Sequence, residues 1–397
     1  MCYIIVVSTK PILQSMKRIL LSILISLISH SILAIDFSKI NTAYWYDLTA
    51  DVTINHRTIS SEEGKMVVFF ELKIRKGAGY DLAFLLQDTY EDVAHIDVSK
   101  FELDTILQNR MQQIVKLSFN AKNKKLLVIS VKNSNSFFYF PVPLKRGGLN
   151  FPSFYPSVDG IPIIRDYVKS DSVRFISTVN DSVFYAYHYL KNFPPADPPM
   201  GIVQNINPTL RPDSLIRSGQ LFDQMADYSF YFIQTDTNSN TGLTLYHTPG
   251  YFPVYRSIEE TLPTLTYFSK PSELSRIINS ADKKVSFDRF WLDLYPTEAS
   301  ARAAIKGYYL KIFAANMLFT DYKQGWKTDR GILYSIFGQP ADVYRSNFEE
   351  TWIYGGGLEF EFRIISNLFA PNFYILKRDD KYQEEWFKKM KAIRGGN

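Results

Sequence analysis

Apolar and polar residues alternate with a period of two in the early part of the chain, from about residue 44 to 142. The clearest alternating runs are Met66–Ile74, Ile114–Phe119, Leu126–Val131 and Ser136–Phe140. Short runs of β-branched and aromatic residues, separated by turn clusters, predict an antiparallel β-sandwich over residues 35–148. Phe101–Ile106 is the one stretch in this region that suggests a helical turn instead.

A second region of alternating residues predicts another β-sandwich-like domain over residues 149–270. Four strands are expected in it: Ser172–Val179, Ser182–Leu190, Tyr228–Thr235 and Gly242–His247. The first two flank the turn pair Asn180-Asp181 and therefore predict one hairpin. The six prolines of residues 191–214 exclude an inner strand, so this segment is expected to be a long loop over the sheet or a semi-rigid spacer.

Beyond Pro271 the apolar period lengthens to that of helices, and residues 271–397 are expected to form an α+β module. Four hydroxyl residues stand where helix N-caps belong: Ser272, Ser286, Thr297 and Thr328. Three strands and a final helix are expected at Glu350–Tyr354, Leu358–Ile364, Phe373–Lys377 and Asp379–Ile393. The predicted fold class is multidomain β plus α+β: two antiparallel β-sandwich-like domains, followed by a C-terminal module of helices and an antiparallel meander.

The N-terminus predicts export. Met16-Lys17-Arg18 is a short positive segment, Ile19–Leu33 is apolar, and Ala34 offers a small residue for cleavage. This order is typical of a secretory signal, so residues 1–34 are interpreted as a signal peptide with an upstream extension. A retained signal anchor is the alternative. The single cysteine is Cys2, so the mature chain is expected to carry neither a lipid anchor nor a thiol site.

Charge and composition narrow the classes of partner. Three of the 45 Lys and Arg residues lie in the leader. Residues 35–397 therefore hold 42 basic and 40 acidic residues, which gives a net charge of +2. There is no basic stripe with interleaved aromatics, so no nucleic acid is expected as a partner. No later segment approaches about 18 consecutive apolar residues, so no transmembrane segment is expected in the mature chain. Histidines are scattered singly and no phosphate-binding loop is found, so no cofactor or metal is expected.

The most distinctive motif is the run Gly325-Trp326-Lys327-Thr328-Asp329-Arg330-Gly331. Its companions further along the chain are Tyr334, Gly338, Pro340, Trp352 and Tyr354. These residues resemble the GWxTD-domain family, and the resemblance extends over about residues 287–374. It implies an envelope protein, mostly from Bacteroidetes-type bacteria, without an assigned activity. The spacing is also similar to that of small lipoproteins of the outer-membrane barrel-assembly machine, which suggests peripheral association with the outer membrane.

The motif has two interpretations. In the structural one, Trp326 packs against helices, Thr328 caps a helix, and Asp329 helps to satisfy the amides of the first turn. Arg330 then pairs with a nearby acid or carbonyl, and Gly325 and Gly331 allow close backbone approach. In the binding one, Asp329 and Arg330 at a helix N-terminus form a site for a small anion or a peptide terminus.

Two further features offer alternative functions. Tyr185, Tyr187 and Tyr189 share one face of a predicted strand, and such a stripe binds glycans or partner proteins when it is exposed. The other interpretation places these tyrosines in the sandwich core, with their hydroxyls reaching its rim. Glu359 and Glu361 also share a strand face, as paired carboxylates of a hydrolase do, but the wet face of a half-buried strand explains them better.

The sequence as a whole predicts an exported, non-enzymatic envelope protein in the periplasm or associated with the outer membrane. Its GWxTD module is expected to serve as a docking unit for another envelope protein of unknown identity. A glycan- or peptide-binding module that uses exposed aromatics is the alternative, and a hydrolase is the least expected.

Overall fold

The computed structural model describes residues 5–8, 35–61, 65–75, 79–93, 95–98, 100–110, 112–145, 150–190, 193–201, 211–223, 225–370 and 372–395. The predicted signal sequence at 16–34 lies outside the described residues. Within the described part the chain forms five sheets, which are almost entirely antiparallel, and six α-helices, all of them in its C-terminal region. No helix among the described residues has both the length and the apolar character needed to cross a membrane.

The first region is a β-sandwich, as the alternating pattern predicts. Its strands are β1 (Ile5–Ser8), β2 (Val52–Ser60), β3 (Lys65–Ile74), β4 (Gly79–Gln87), β5 (Ile96–Asp97), β6 (Phe101–Gln108), β7 (Gln112–Asn120), β8 (Leu126–Asn133) and β9 (Ser136–Pro143). One sheet has the order β2-β3-β7-β6, and the other has the order β1-β4-β8-β9 with β5 beside β4. Phe70 and Leu117 of the first sheet share one buried core with Phe84 and Ile129 of the second.

The helical turn expected at Phe101–Ile106 is wrong, because these residues belong to strand β6. The strand pairs along its length with β7, and a bulge lies between Thr105 and Leu107. Phe101 and Leu103 pack against the sandwich core, whereas Glu102 and Asp104, which alternate with them, are exposed. The alternation of apolar and polar residues is therefore present. The bulge interrupts it after two periods, so the alternating run is too short to predict a strand from the sequence.

The second region is also built from two facing sheets. Its strands are β10 (Phe154–Val158), β11 (Ile161–Pro162), β12 (Tyr167–Val168), β13 (Val173–Ser177), β14 (Phe184–Tyr189), β15 (Ser214–Ser218), β16 (Leu221–Phe222), β17 (Phe230–Gln234) and β18 (Leu243–His247). The sheet orders are β11-β10-β13-β16 and β12-β18-β17-β14-β15, in which β12 runs parallel to β18. The last two expected strands are present as β17 and β18, which pair with each other antiparallel.

The hairpin expected from the first two strands is wrong. Strands β13 and β14 lie in different sheets, although only a short turn separates them. Asn180 in this turn has a positive φ of 62° and helps to carry the chain from one sheet to the other. Phe175 and Phe184 then meet across the core, with ring centroids 5.0 Å apart. In facing sheets the inward side chains of the two strands interdigitate across the core, as these two rings do.

The C-terminal region contains the helices and the meander that its apolar pattern predicts. Its elements are α1 (Ile258–Thr261), α2 (Pro271–Ile278), α3 (Lys283–Leu294), α4 (Glu298–Phe319), α5 (Asp329–Phe337), β19 (Asp342–Arg345), β20 (Glu349–Tyr354), β21 (Leu358–Ile365), β22 (Phe373–Leu376) and α6 (Gln383–Ile393). The sheet order β19-β20-β21-β22 is a four-stranded meander, one strand longer than expected because the short β19 carries little alternation. The predicted domain boundaries stay predictions.

The expected N-caps are correct for two helices and misplaced for two. Thr297 caps α4, and Thr328 caps α5 by accepting the amide of Gly331 at 3.0 Å. Helix α3 begins before Ser286, because the Asp282 carboxylate accepts the amide of Val285 at 3.0 Å. Helix α2 likewise begins at Pro271, one residue before the expected cap. An acidic cap and a proline at the first helical position compete with serine at such sites.

Candidate functional site

Two glycines of the motif let helices α4 and α5 approach closely. A Cβ atom added to Gly325 would lie 2.0 Å from the carbonyl oxygen of Ala315 in α4. A Cβ atom added to Gly331 would lie 1.8 Å from the carbonyl oxygen of Gly325. Both contacts are with backbone atoms, which cannot rotate away as a side chain can. The motif therefore fixes the packing of α5 on α4 through backbone approach.

Trp326 is part of the module's main core. Its side chain is 1% exposed, and its indole Nε1 donates to Gln324 Oε1 at 2.8 Å. Its backbone amide donates to the side-chain oxygen of Asn316, 3.3 Å away. The hydroxyl of Thr328 donates to the carbonyl of Gly325 at 2.7 Å while it caps α5. These contacts are those of the structural interpretation.

Asp329 binds the meander instead of the first-turn amides of its own helix. One carboxylate oxygen accepts the backbone amide of Leu376 at 2.9 Å, and the other accepts Arg378 Nη2 at 2.5 Å. The side chains of Asp329 and Arg378 are only 10% and 8% exposed. This nearly buried ion pair joins the start of α5 to the end of β22.

The described part of the Pro-rich loop lies against the motif. The backbone amide of Ala196 donates to the carbonyl of Lys327 at 2.9 Å. The guanidinium of Arg378 donates to the carbonyl of Asp197 at 2.9 Å, so the residue that pairs with Asp329 also holds the loop. The amide of Asp379 donates to the carbonyl of Pro199 at 3.0 Å.

Arg330 and Tyr334 of α5 contact Tyr46, which precedes the first sandwich. Arg330 Nη1 donates to the Tyr46 hydroxyl at 3.1 Å, and the Tyr334 hydroxyl donates to the Tyr46 carbonyl at 3.0 Å. The Tyr46 hydroxyl lies 2.7 and 2.8 Å from the two oxygens of Glu350, which is fully buried. Burial and the neighbouring Glu350 charge hold the pKa of Tyr46 well above its ordinary value, so it stays a hydrogen-bond donor.

The segment around Tyr46 is also joined to the meander by its backbone. The amide of Thr42 donates to the carbonyl of Val343 in β19 at 2.8 Å. The side chain of Asn41 donates to Asp342 at 2.5 Å and accepts the amide of Val343 at 3.0 Å. Residues 41–46 therefore pack against the edge of the C-terminal module, although they precede the first sandwich in the chain. Sequence reasoning missed this role, because nothing near Tyr46 signals partners about 300 positions away.

The remaining motif residues pack around this junction. Trp352 is fully buried, and its ring centroid lies 4.9 Å from that of Tyr46. The hydroxyl of Tyr354 donates to the carbonyl of Gly338, which ends α5 with a positive φ of 86°. Pro340 is buried just beyond it.

The tyrosine stripe of β14 faces the C-terminal module. Tyr185 and Tyr187 are half-buried, and Tyr189 is buried with its ring stacked on Phe230 at a centroid distance of 4.3 Å. Phe369 of the module meets Tyr189 at 5.5 Å. The stripe thus borders an aromatic layer between the second sandwich and the module. Glycan or peptide binding by these side chains stays a prediction, and for Tyr189 it would require the layer to open.

The two glutamates of β21 lie on its wet face, as their alternation with buried Phe360 and Phe362 indicates. Glu359 is exposed, and Glu361 pairs with Lys377 at 2.7 Å. Lys377 also binds Glu349 at 2.8 Å, so this carboxylate belongs to a surface charge network. Among the described residues, no group of three or more His, Cys, Asp and Glu side chains is placed to hold a metal ion.

A cavity of about 330 Å³ lies where the two sandwiches and the C-terminal module meet. It is lined by β2 residues of the first sandwich, by residues 164–167 and 242–244 of the second, and by the end of α4. Arg330 of the motif lines it together with Tyr46, Arg345 and Tyr374. The motif arginine therefore reaches a cavity that all three regions line.

The fold and the motif geometry define a multidomain β protein that ends in an α+β module. The GWxTD domain model matches residues 229–395, so the chain is a GWxTD-domain-containing protein. The match begins at the edge of β17, inside the second sandwich.

No curated protein matches the chain. Among similar solved structures is the crystal structure of DIP-gamma IG1+IG2, which shares 7% identity, covers 49% of this chain and 97% of that chain, and has a TM-score of 0.15. A score this low supports no argument about fold or function.

Proposed function

We propose that this protein is an exported, non-enzymatic protein of the cell envelope, of the protein-interaction or structural type. The observation that carries the proposal is that the motif residues bind other segments of the same chain. Asp329 and Arg330 hold β22 and Tyr46, while the backbone of Lys327 holds the Pro-rich loop. Internal contacts of this kind suit a module that gathers distant segments of the chain into one unit.

The proposed docking surface is the outer face of α3 on the GWxTD module. Val285 and Leu292 are separated by two helical turns and share this face, with exposed fractions of 53% and 48%. Ile278, at the end of the neighbouring helix α2, is 46% exposed. Under this proposal, these three exposed apolar side chains form the surface that a partner protein would cover. The proposed partner is another envelope protein, in the periplasm or at the outer membrane.

The docking proposal is tested by cross-linking in native envelopes with the variant Val285→Glu/Leu292→Glu. Leu215→Glu/Leu221→Glu is the matched control, since these leucines are exposed by 52% and 49% on the second sandwich. All four sites are exposed, so both variants should fold normally. We expect one cross-linked protein to be lost from the α3 variant and retained in the control. Equal cross-linking in all three proteins would contradict the docking surface.

Export makes a separate prediction. If residues 1–34 are a cleaved signal, the purified protein should begin at or near Ile35, which N-terminal sequencing or intact-mass measurement determines. Replacing Leu20 and Leu24 by arginine should interrupt the apolar segment and leave the unprocessed chain in the cytoplasm. Membrane-bound protein that keeps Met16 would show a signal anchor instead.

A further inference from the structure

The cavity between the three regions carries a positive charge that is incompletely paired. Arg330 lines it without a carboxylate oxygen within 4.0 Å among the described residues, and its guanidinium stacks 3.4 Å from the centre of the Tyr374 ring. Arg345 lines it too, and its one ion-pair partner in the described part of the chain, Glu350, is 4.0 Å away. That carboxylate already accepts hydrogen bonds from Tyr46 and Trp352. The two guanidinium groups therefore keep capacity for an anion.

Three buried polar atoms on residues that line the cavity have no hydrogen-bond partner among the described residues. They are Arg345 Nε, His56 Nδ1 and Thr244 Oγ1. Buried polar atoms of native proteins are almost always paired with protein, water or a ligand. Three such atoms around one cavity indicate that its occupant is polar.

Two carboxylates limit how much negative charge the occupant can bring. Asp166 lines the cavity and pairs with Arg57 at 3.1 Å, and Asp321 lines it as well. A doubly charged phosphate would be repelled by both, whereas a singly charged carboxylate matches the planar fork of an arginine. The wall also contains aromatic side chains, among them Trp45, Phe319 and Phe369.

We propose that this cavity binds a small carboxylate with an aromatic or apolar body, held by Arg330 and Arg345. A volume of about 330 Å³ suits a ligand the size of one or two amino-acid residues. Thr244 Oγ1 and His56 Nδ1 supply the further polar contacts. Two sources share this chemistry, a free amino acid and the C-terminus of a peptide. The cavity contains no residue of the proposed docking surface on α3, so ligand binding here does not depend on the docking function.

The protonation of His56 agrees with this assignment. Burial and the charges of Arg345 and Arg57 lower the pKa of His56 to about 4, so its ring is neutral at physiological pH. These arginine charges produce a positive electrostatic potential at the cavity wall. An anion bound beside Arg345 should offset this potential and raise the pKa of His56. Burial also raises the pKa of Asp321 to about 6, which weakens its repulsion of a ligand in mildly acidic solution.

The test is calorimetric titration of the processed protein with N-acetyl-phenylalanine, which has a carboxylate but no ammonium group. Its amide, N-acetyl-phenylalaninamide, is the matched control. We expect the acid to bind and to raise the His56 pKa measured by NMR, while the amide does neither. Arg330→Gln should weaken binding by roughly tenfold or more, since it removes a charged donor. Thr244→Val keeps the side-chain shape and should keep the stability, but should weaken binding about fivefold.

The outcomes separate the sources and can overturn the proposal. Tighter binding of free phenylalanine than of the acetylated acid would assign the cavity to amino acids, and the reverse order would assign it to peptide C-termini. The proposal is wrong if neither acid binds, which would leave the cavity to water. It is also wrong if acid and amide bind equally, or if folded Thr244→Val and Arg330→Gln proteins both bind like the wild type.

Discussion

Gly331→Ala is expected to prevent the C-terminal module from reaching its native packing. The new methyl group would lie 1.8 Å from the carbonyl oxygen of Gly325, and that oxygen belongs to a backbone segment fixed by Thr328 and Trp326. Ordinary overpacking costs about 1–3 kcal/mol, and a contact this short with backbone atoms should exceed that range. We expect little soluble protein, or a urea midpoint well below that of the wild type.

Gly307→Ala is the matched control for that substitution. Gly307 lies inside α4, is exposed, and has no atom within 4 Å of the position that a Cβ would take. The same chemical change should therefore stabilise the protein by roughly 0.5–1 kcal/mol, because alanine favours a helix interior over glycine. Equal effects of the two substitutions would contradict the close backbone approach within the motif.

Trp326→Ala is expected to reduce the free energy of unfolding by about 3–5 kcal/mol, the range for truncating a buried large aromatic side chain. The ring is 1% exposed and belongs to the main core of the module, where it meets Tyr267 at a centroid distance of 6.4 Å. This loss is a large share of the roughly 5–15 kcal/mol that holds a domain folded. Urea denaturation with fluorescence and circular dichroism measures it.

Phe387→Ala provides the comparison, because Phe387 lies on α6 of the same module and is 55% exposed. Its effect should stay within about 0.5 kcal/mol of zero. A Trp326→Ala protein that unfolds at the wild-type midpoint would show that the motif tryptophan does not hold the core. It would then favour the binding interpretation of the motif.

Local patterns were sufficient to predict much of the fold. The period of two predicts the sandwich strands, because one face of each is buried in a shared core. The Thr297 and Thr328 caps are correct, since each signal and its partner lie within one helical turn. The alternation in β21 correctly places Phe360 in the core and Glu359 on the surface.

Features that depend on distant partners could not be predicted in the same way. Strands β13 and β14 separate into two sheets because of a core that neither strand specifies alone. Glu350 occupies a buried position in β20, where Tyr46 and Trp352 donate hydrogen bonds to it and Arg345 is its ion-pair partner. The motif pattern predicts the capping role of Thr328, but it does not predict that Arg330 reaches a segment 284 positions earlier.

The central claim is that the GWxTD motif fastens distant segments of this chain together. A double-mutant cycle between Tyr46→Phe and Arg330→Ala, measured by urea denaturation, tests it most directly. Each single variant should be less stable than the wild type, and their effects should depart from additivity by about 0.5–3 kcal/mol, as for residues in direct contact. Additive effects, or an Arg330→Ala protein as stable as the wild type, would contradict the claim.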